Sequence, residues 1–191
     1  PMTIDPIWEE RYRAGYGTDC PSEDVAMFLA GRKPGALLDI GCGTGANMLF
    51  AAEHDWTVYG VDGSERAIEK AKLRLAVHPH QLFCINVVDL ARRDEKFDAI
   101  LDIECLYSLP RDVAFRMYKK IYCMLKPGGA LMVKAFTQSS WRGKEVIENA
   151  RFQSINDILT MLTGFNIERL YHLERRYNEG AVKEHVVWAI K

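Results

Sequence analysis

Residues 36–48 read "ALLDIGCGTGANM": a strand-like apolar run, Ala36 to Ile40, followed by Gly41, Gly43 and Gly45 and then by the helix-forming run "ANMLFAAEH". Three glycines in five positions leave a strand-to-helix turn with almost no side chains. Such a turn lets a ligand approach the main chain, allows positive φ where the bend needs it, and presents N–H groups at a helix start. Read as G-x-G-x-x-A, residues 41–46 satisfy a dinucleotide-binding fingerprint, and Asp62, placed about 20 residues further on, suits ribose hydroxyls. The glycines alone leave the ligand open.

Outward from this turn the chain alternates. Apolar runs at 36–40, 56–61, 82–88, 97–103 and 130–136 are short, partly β-branched and bounded by Gly, Pro or Asp, which predicts buried strands. Helical patterns lie between them. Ser64 is placed to cap a helix in which Ile68, Ala71 and Leu75 share a face, and Ala114, Met117, Tyr118, Ile121 and Leu125 follow helical spacing up to "KPGG". Glu23 and Asp24 open another helix, ended by Gly31 and Pro34. Ser154 with Asp157 forms a capping box before Ile158, Leu159 and Leu162, and the runs "FNIERLYHL" and "HVVWAIK" read as a hairpin. The expected fold is therefore α/β: a doubly wound, Rossmann-like, seven-stranded and mostly parallel sheet with an antiparallel C-terminal edge hairpin. One domain over 1–191 is expected, residues 1–30 forming a helical lead-in, with the ligand at the strand ends near Ile40, Val61, Val88 and Ile103.

Composition narrows the partners. Twenty-five basic and 26 acidic residues give a formal charge of -1, which provides no long-range positive field for nucleic acid or anionic lipid. Cys20, Cys42, Cys84, Cys105 and Cys123 are widely spaced with no C-x-x-C pair, and the five histidines lack ligand spacing, so no metal site is expected. No apolar run reaches the roughly 20 residues of a membrane helix, and no export signal is read. These observations point to a cytoplasmic protein with reduced thiols.

The wider pattern is more specific. "LLDIGCGTG", "VYGVDGS", "NVVDL", "KFDAILDIECLYSLP" and "MLKPGGALMV", in this order, resemble the class I S-adenosylmethionine-dependent methyltransferases, and "WEERYRAGYGT" is similar to the lead-in of tellurite-resistance-type and thiopurine-type small-molecule members. That resemblance implies S-adenosylmethionine as cofactor. It implies that Gly41, Cys42, Gly43 and Gly45 hold the methionine end and that Asp39 helps orient the amino group. Asp62, followed by Gly63, would bind the ribose hydroxyls; Asp89 and Leu90 would meet the adenine; Glu104 would lie beside the cofactor. Plainer roles stand next to these: Asp62 as a local cap, Asp89 as a turn former, and Cys42 as a small apolar packing group.

Two rivals remain at this level. Tyr122 and Lys126 have the Tyr-x-x-x-Lys spacing of nicotinamide-dependent short-chain dehydrogenases, although Lys126 also suits a helix C-terminus before Pro127. A non-catalytic relative that keeps the fold to bind a partner is the other. Among methyltransferases, the signature of base-methylating enzymes and the Asp-Asn pair of magnesium-dependent ones are absent. A small-molecule acceptor of the methyl group is expected, with the protein a monomer or homodimer. Methyl transfer needs in-line alignment more than a covalent intermediate, and Glu104 is the candidate base, with Asp102 nearby on the fourth strand. Trp8, Tyr12, Tyr16, Tyr107 and Trp141 are the candidate substrate-binding aromatics, Tyr16 between two glycines being the candidate lid residue.

Overall fold

The computed structural model describes residues 6–91, 94, 96–137, 140, 154–178 and 180–191. Its strands are β1 (Ala36–Ile40), β2 (Thr57–Asp62), β3 (His80–Cys84), β4 (Phe97–Ile103), β5 (Leu125–Phe136), β6 (Asn166–Tyr177) and β7 (Gly180–Ile190). They form one mixed sheet in the order β3-β2-β1-β4-β5-β7-β6. The described helices are α1 (Pro6–Arg13), α2 (Glu23–Leu29), α3 (Ala46–Glu53), α4 (Glu65–Arg74), α5 (Arg111–Met124) and α6 (Ile155–Met161). The chain divides into two compact units, Pro1–Ala91 with Phe97–Leu101, and Arg92–Lys96 with Asp102–Lys191.

In the first unit β1, β2 and β3 pair in parallel, Ile40 opposite Val61 and Asp62 opposite Cys84. A parallel strand buried on both faces must be nearly all apolar. β1 obeys this except at Asp39, which is buried at its end. The third strand differs from the run expected at 82–88: it ends at Cys84, and Val87–Asp89 make a 3₁₀ turn. Asn86 causes this, because its side-chain oxygen accepts from the Val88 N–H while its carbonyl accepts from Asp89. β3 is the sheet edge and half exposed, so its apolar pattern is a weak guide to its limits. Ser64 caps α4 by accepting from the Ala67 N–H at 3.1 Å.

In the second unit β7 pairs antiparallel with both β5 and β6, giving the C-terminal hairpin. β5 starts at Leu125, five residues before the apolar run at 130–136, since Gly128 takes φ +75° and Gly128 and Gly129 bond to Lys191 at the end of β7. α5 buries Ala114, Met117, Tyr118, Ile121 and Met124, and Ser154 with Asp157 forms the capping box of α6. Asp102, buried on β4, accepts from Tyr118 Oη at 2.6 Å and from the Leu106 N–H at 3.0 Å. Burial pushes its pKa from 3.8 up to about 6, against the pull of those donors.

The folded state therefore holds the Asp102 proton more tightly than the unfolded chain does, so the stability linked to it is present at low pH and lost as pH rises from about 4 to about 6. The shift is worth about 3 kcal/mol. Denaturant titrations between pH 4 and 7 should show that loss in the wild type and a flatter profile in Asp102→Asn, which keeps an oxygen for Leu106 and has no proton to lose; parallel profiles would refute the assignment.

Candidate functional site

The strand-to-helix turn is built by its backbone. Gly41, Gly43 and Gly45 have φ of +71°, +52° and +80°, values that a side chain would oppose. Gly41 and Cys42 N–H groups donate to the Val61 carbonyl, and the Gly45 N–H to Cys42, so the turn is stitched to the end of β2. Gly45 is the N-cap of α3 with no side-chain cap. A Cβ there would come within 3.1 Å of Ala71, which explains the glycine by helix packing alone. Cys42 is buried, its sulfur against Gly60 along with that of Met48.

Asp62 joins the turn to the next helix. Its Oδ2 accepts from the Gly43 N–H and its Oδ1 from the Ser64 N–H, each at 2.9 Å. Burial raises its pKa, while these two N–H groups and that of Gly63 counter the rise by stabilising the anion. A carboxylate offers about four acceptor sites, so Asp62 keeps capacity for a hydroxyl of a ligand. It is thus a local anchor of the turn and of the start of α4, with acceptor capacity to spare. Asp39 is buried at the end of β1. Asp89 is exposed and Leu90 half-buried on the 3₁₀ turn after β3.

The N-terminal segment lies over this cradle. Trp8, Tyr12 and Tyr16 share a face of α1 and its extension, their rings 5.6–6.3 Å apart. Tyr12 is buried and its hydroxyl lies 2.9 Å from where a Gly43 Cβ would stand. Tyr16 is exposed, so Tyr12 rather than Tyr16 covers the turn. The segment is fixed to α4 at four-residue intervals. Glu9 accepts from Ser64 Oγ at 2.6 Å and from the Arg66 N–H; Lys70 donates to the Tyr12 carbonyl; Arg74 donates to the Thr18 carbonyl, to Thr44 and to Asp19. Sequence reading missed Glu9, Lys70 and Arg74. The spacing 66, 70 and 74 on the polar face of α4 was the available signal.

The second unit holds the other candidates. Glu104 follows β4 with φ +56°, its N–H donating to the Lys134 carbonyl. Such a left-handed residue without glycine is strained and redirects the chain at a strand end. Tyr107 is buried edge-on against Phe136 at 5.3 Å. Trp141 lies outside the described residues. Glu184, opposite Phe136 on β7, is fully buried: its Oε2 meets Arg175 at 2.9 Å and Lys134 at 3.7 Å, and its Oε1 has no hydrogen-bond partner among the described residues. Glu184 was also missed, although an acid heading the apolar run "HVVWAI" is its signature. His172 and His185 are directly paired across β6 and β7, with Nδ1 atoms 2.6 Å apart.

A stitched glycine turn at the carboxyl end of β1, with an acid ending β2, is a ligand cradle of a known kind, and residues 37–129 match the family model described as "Methyltransferase domain". Over that stretch, nearly half of its length, the chain is similar to the class I S-adenosylmethionine-dependent methyltransferases. Among relatives, the chain is 28% identical to the 2-heptyl-1-hydroxyquinolin-4(1H)-one methyltransferase of Mycobacteroides abscessus, over 62% of this chain and 54% of the relative. It is 31% identical to a ubiquinone biosynthesis O-methyltransferase of Coxiella burnetii, over 54% of this chain and 44% of the relative. The chain thus spans about half the length of these curated relatives. Its fold matches the solved structure of Burkholderia thailandensis 1,6-didemethyltoxoflavin-N1-methyltransferase with TM-score 0.77 at 21% identity, covering 95% of this chain and 84% of that one.

The family's cofactor fits what the cradle provides: a glycine turn held at positive φ under the Tyr12 hydroxyl, a buried acid at Asp39, and an anchored carboxylate with acceptor capacity at Asp62. Asp62→Ala should weaken binding of S-adenosylhomocysteine by about 1.5–3 kcal/mol, the range for hydrogen bonds to a charged group, in a chain that still folds. Gly43→Val should abolish it, because a branched side chain meets both the positive φ and Tyr12. Calorimetric titration with an unchanged dissociation constant for either variant would contradict the site.

Proposed function

We infer that the protein transfers the methyl group of S-adenosylmethionine to an oxygen, nitrogen or sulfur atom of a small molecule in the cytoplasm. The observation that carries this reading is the Asp62 carboxylate, held between the Gly43 and Ser64 N–H groups at the end of β2. In this reading Asp62 accepts from the ribose hydroxyls, Asp39 orients the methionine amino group, and Gly41 to Gly45 give the methionine end its close approach. Leu90 packs on the adenine beside Asp89. The sulfonium supplies an already activated methyl, so the chain needs no nucleophile of its own.

What the residues contribute is alignment and exclusion of water. Tyr12, buried over Gly43, and the Trp8–Tyr12–Tyr16 cluster favour a flat, partly apolar acceptor. The names of the two curated relatives, a hydroxyquinolone methyltransferase and a quinone-pathway O-methyltransferase, support a hydroxylated aromatic ring. Glu104, just beyond β4, is assigned the removal of the acceptor proton.

Calorimetry should give binding of S-adenosylmethionine near one per chain and none of NAD. Incubation with methyl-labelled cofactor and a panel of phenols, hydroxyquinolines, amines, thiols and carboxylates should then label hydroxylated rings first. Binding of neither S-adenosylmethionine nor its demethylated product at millimolar concentration would overturn the reading, and labelling confined to amines or thiols would overturn the acceptor class.

A further inference from the structure

Glu9 sits on the N-terminal helix, 55 residues in sequence from the side chain it touches, and its position ties two parts of the cradle together. Its carboxylate takes the Ser64 hydroxyl at 2.6 Å. The same Ser64 gives its N–H to Asp62 Oδ1, and Asp62 Oδ2 takes the Gly43 N–H. One continuous chain of hydrogen bonds therefore runs from α1 through the N-cap of α4 to the acid at the end of β2 and into the glycine turn. The strap it belongs to lies on the cradle at two points, Tyr12 Oη over Gly43 and Gly17 against the side chain of Thr44. Hydrogen bonding and nearby Arg13 and Arg66 hold the Glu9 carboxyl below its usual range, so it is ionised throughout the neutral region.

We propose that Glu9 is a positioning residue that latches the N-terminal strap closed over bound cofactor and holds Asp62 in its receiving orientation. A ligand seated on Gly43 shares that surface with Tyr12, so it enters and leaves only when the strap lifts. The strap is built to lift: of α1 only Tyr12 is buried, and Glu9, Tyr12, Thr18 and Asp19 are joined to α4 by polar contacts. Asp19 is almost wholly exposed and adds little, which concentrates the latch at the Glu9 end. Lifting α1 removes the acceptor of the Ser64 hydroxyl and loosens the N-cap that orients Asp62. Closing and cofactor binding therefore favour one another, and the coupling is reciprocal. The inference rests on the assignment of Asp62 and the glycine turn to the cofactor.

The test uses the full chain and S-adenosylhomocysteine as the probe, with association and dissociation rates from stopped-flow fluorescence. Glu9→Ala should raise the dissociation rate about tenfold with a much smaller change in association, the usual pattern for loss of a bound-state contact. Glu9→Gln, which keeps an oxygen for Ser64 and Arg66, should stay within about threefold of wild type, whereas a purely ionic role for Glu9 would make the two variants equal. Arg74→Gln, at the other end of the strap and away from the α4 cap, should raise the rate less; it supplies the same reading should Glu9→Ala lose its fold by circular dichroism. A dissociation rate unchanged in Glu9→Ala, or a tighter complex, overturns the latch while leaving the cofactor site intact. Wild-type protein that takes up no S-adenosylhomocysteine overturns the site and the latch together.

Discussion

Two N–H groups from different elements, Gly43 in the turn after β1 and Ser64 at the start of α4, converge on the single carboxylate of Asp62. That pair of bonds is the constraint on which the cradle depends. Without it the glycine turn loses its tie to the β2 acid and keeps its bonds to the Val61 carbonyl, and the α4 N-terminus loses the acid that accepts from the Ser64 N–H. The arrangement is costly, because the carboxylate is buried and its pKa is raised for that reason. Three backbone donors offset part of the cost and leave the anion oriented.

The same residues show why the local parts of this structure were readable. β1 and β4 were legible over their whole lengths, since a strand buried on both faces shows a mainly apolar run with sharp borders, broken here only at Asp39 in β1 and at Asp98 and Asp102 in β4. Ser64 and the Ser154–Asp157 box were equally plain, as a cap is encoded within four residues. β3 was misplaced because it is an edge strand with an uneven apolar signal, ended by the private hydrogen bonding of Asn86. The start of β5 escaped because "KPGG" reads as a helix stop. It is that, and its glycines also pair with the C-terminal end of β7.

The candidate site divides along the same line. Gly41, Gly43, Gly45 and Asp62 carry motif spacing and were nameable from the sequence. Glu9, Lys70 and Arg74 were not, because each acts on a partner far along the chain, nor was Glu184, whose burial is set by strand pairing; all four are of residue types that ordinarily face solvent. Tyr12 and Tyr16 were separable only in three dimensions: equal helical spacing puts both on one face, and the turn at Gly15 decides which ring is covered. Tyr107, chosen as an aromatic of the loop after β4, is buried against Phe136.

The ladder on α4 also makes that helix a ruler. Arg66, Lys70 and Arg74 recur every four residues and so rise about 6 Å per step along one face, meeting Glu9, Tyr12 and Thr18 of the strap in turn. A residue added or removed within α4 would turn everything beyond it by about 100° and swing the later rungs away from the strap. The number of residues in this helix is thus as much a part of the protein's specification as their identity. Natural variants that preserve the strap should vary freely in composition along the outer face of α4 while keeping its length.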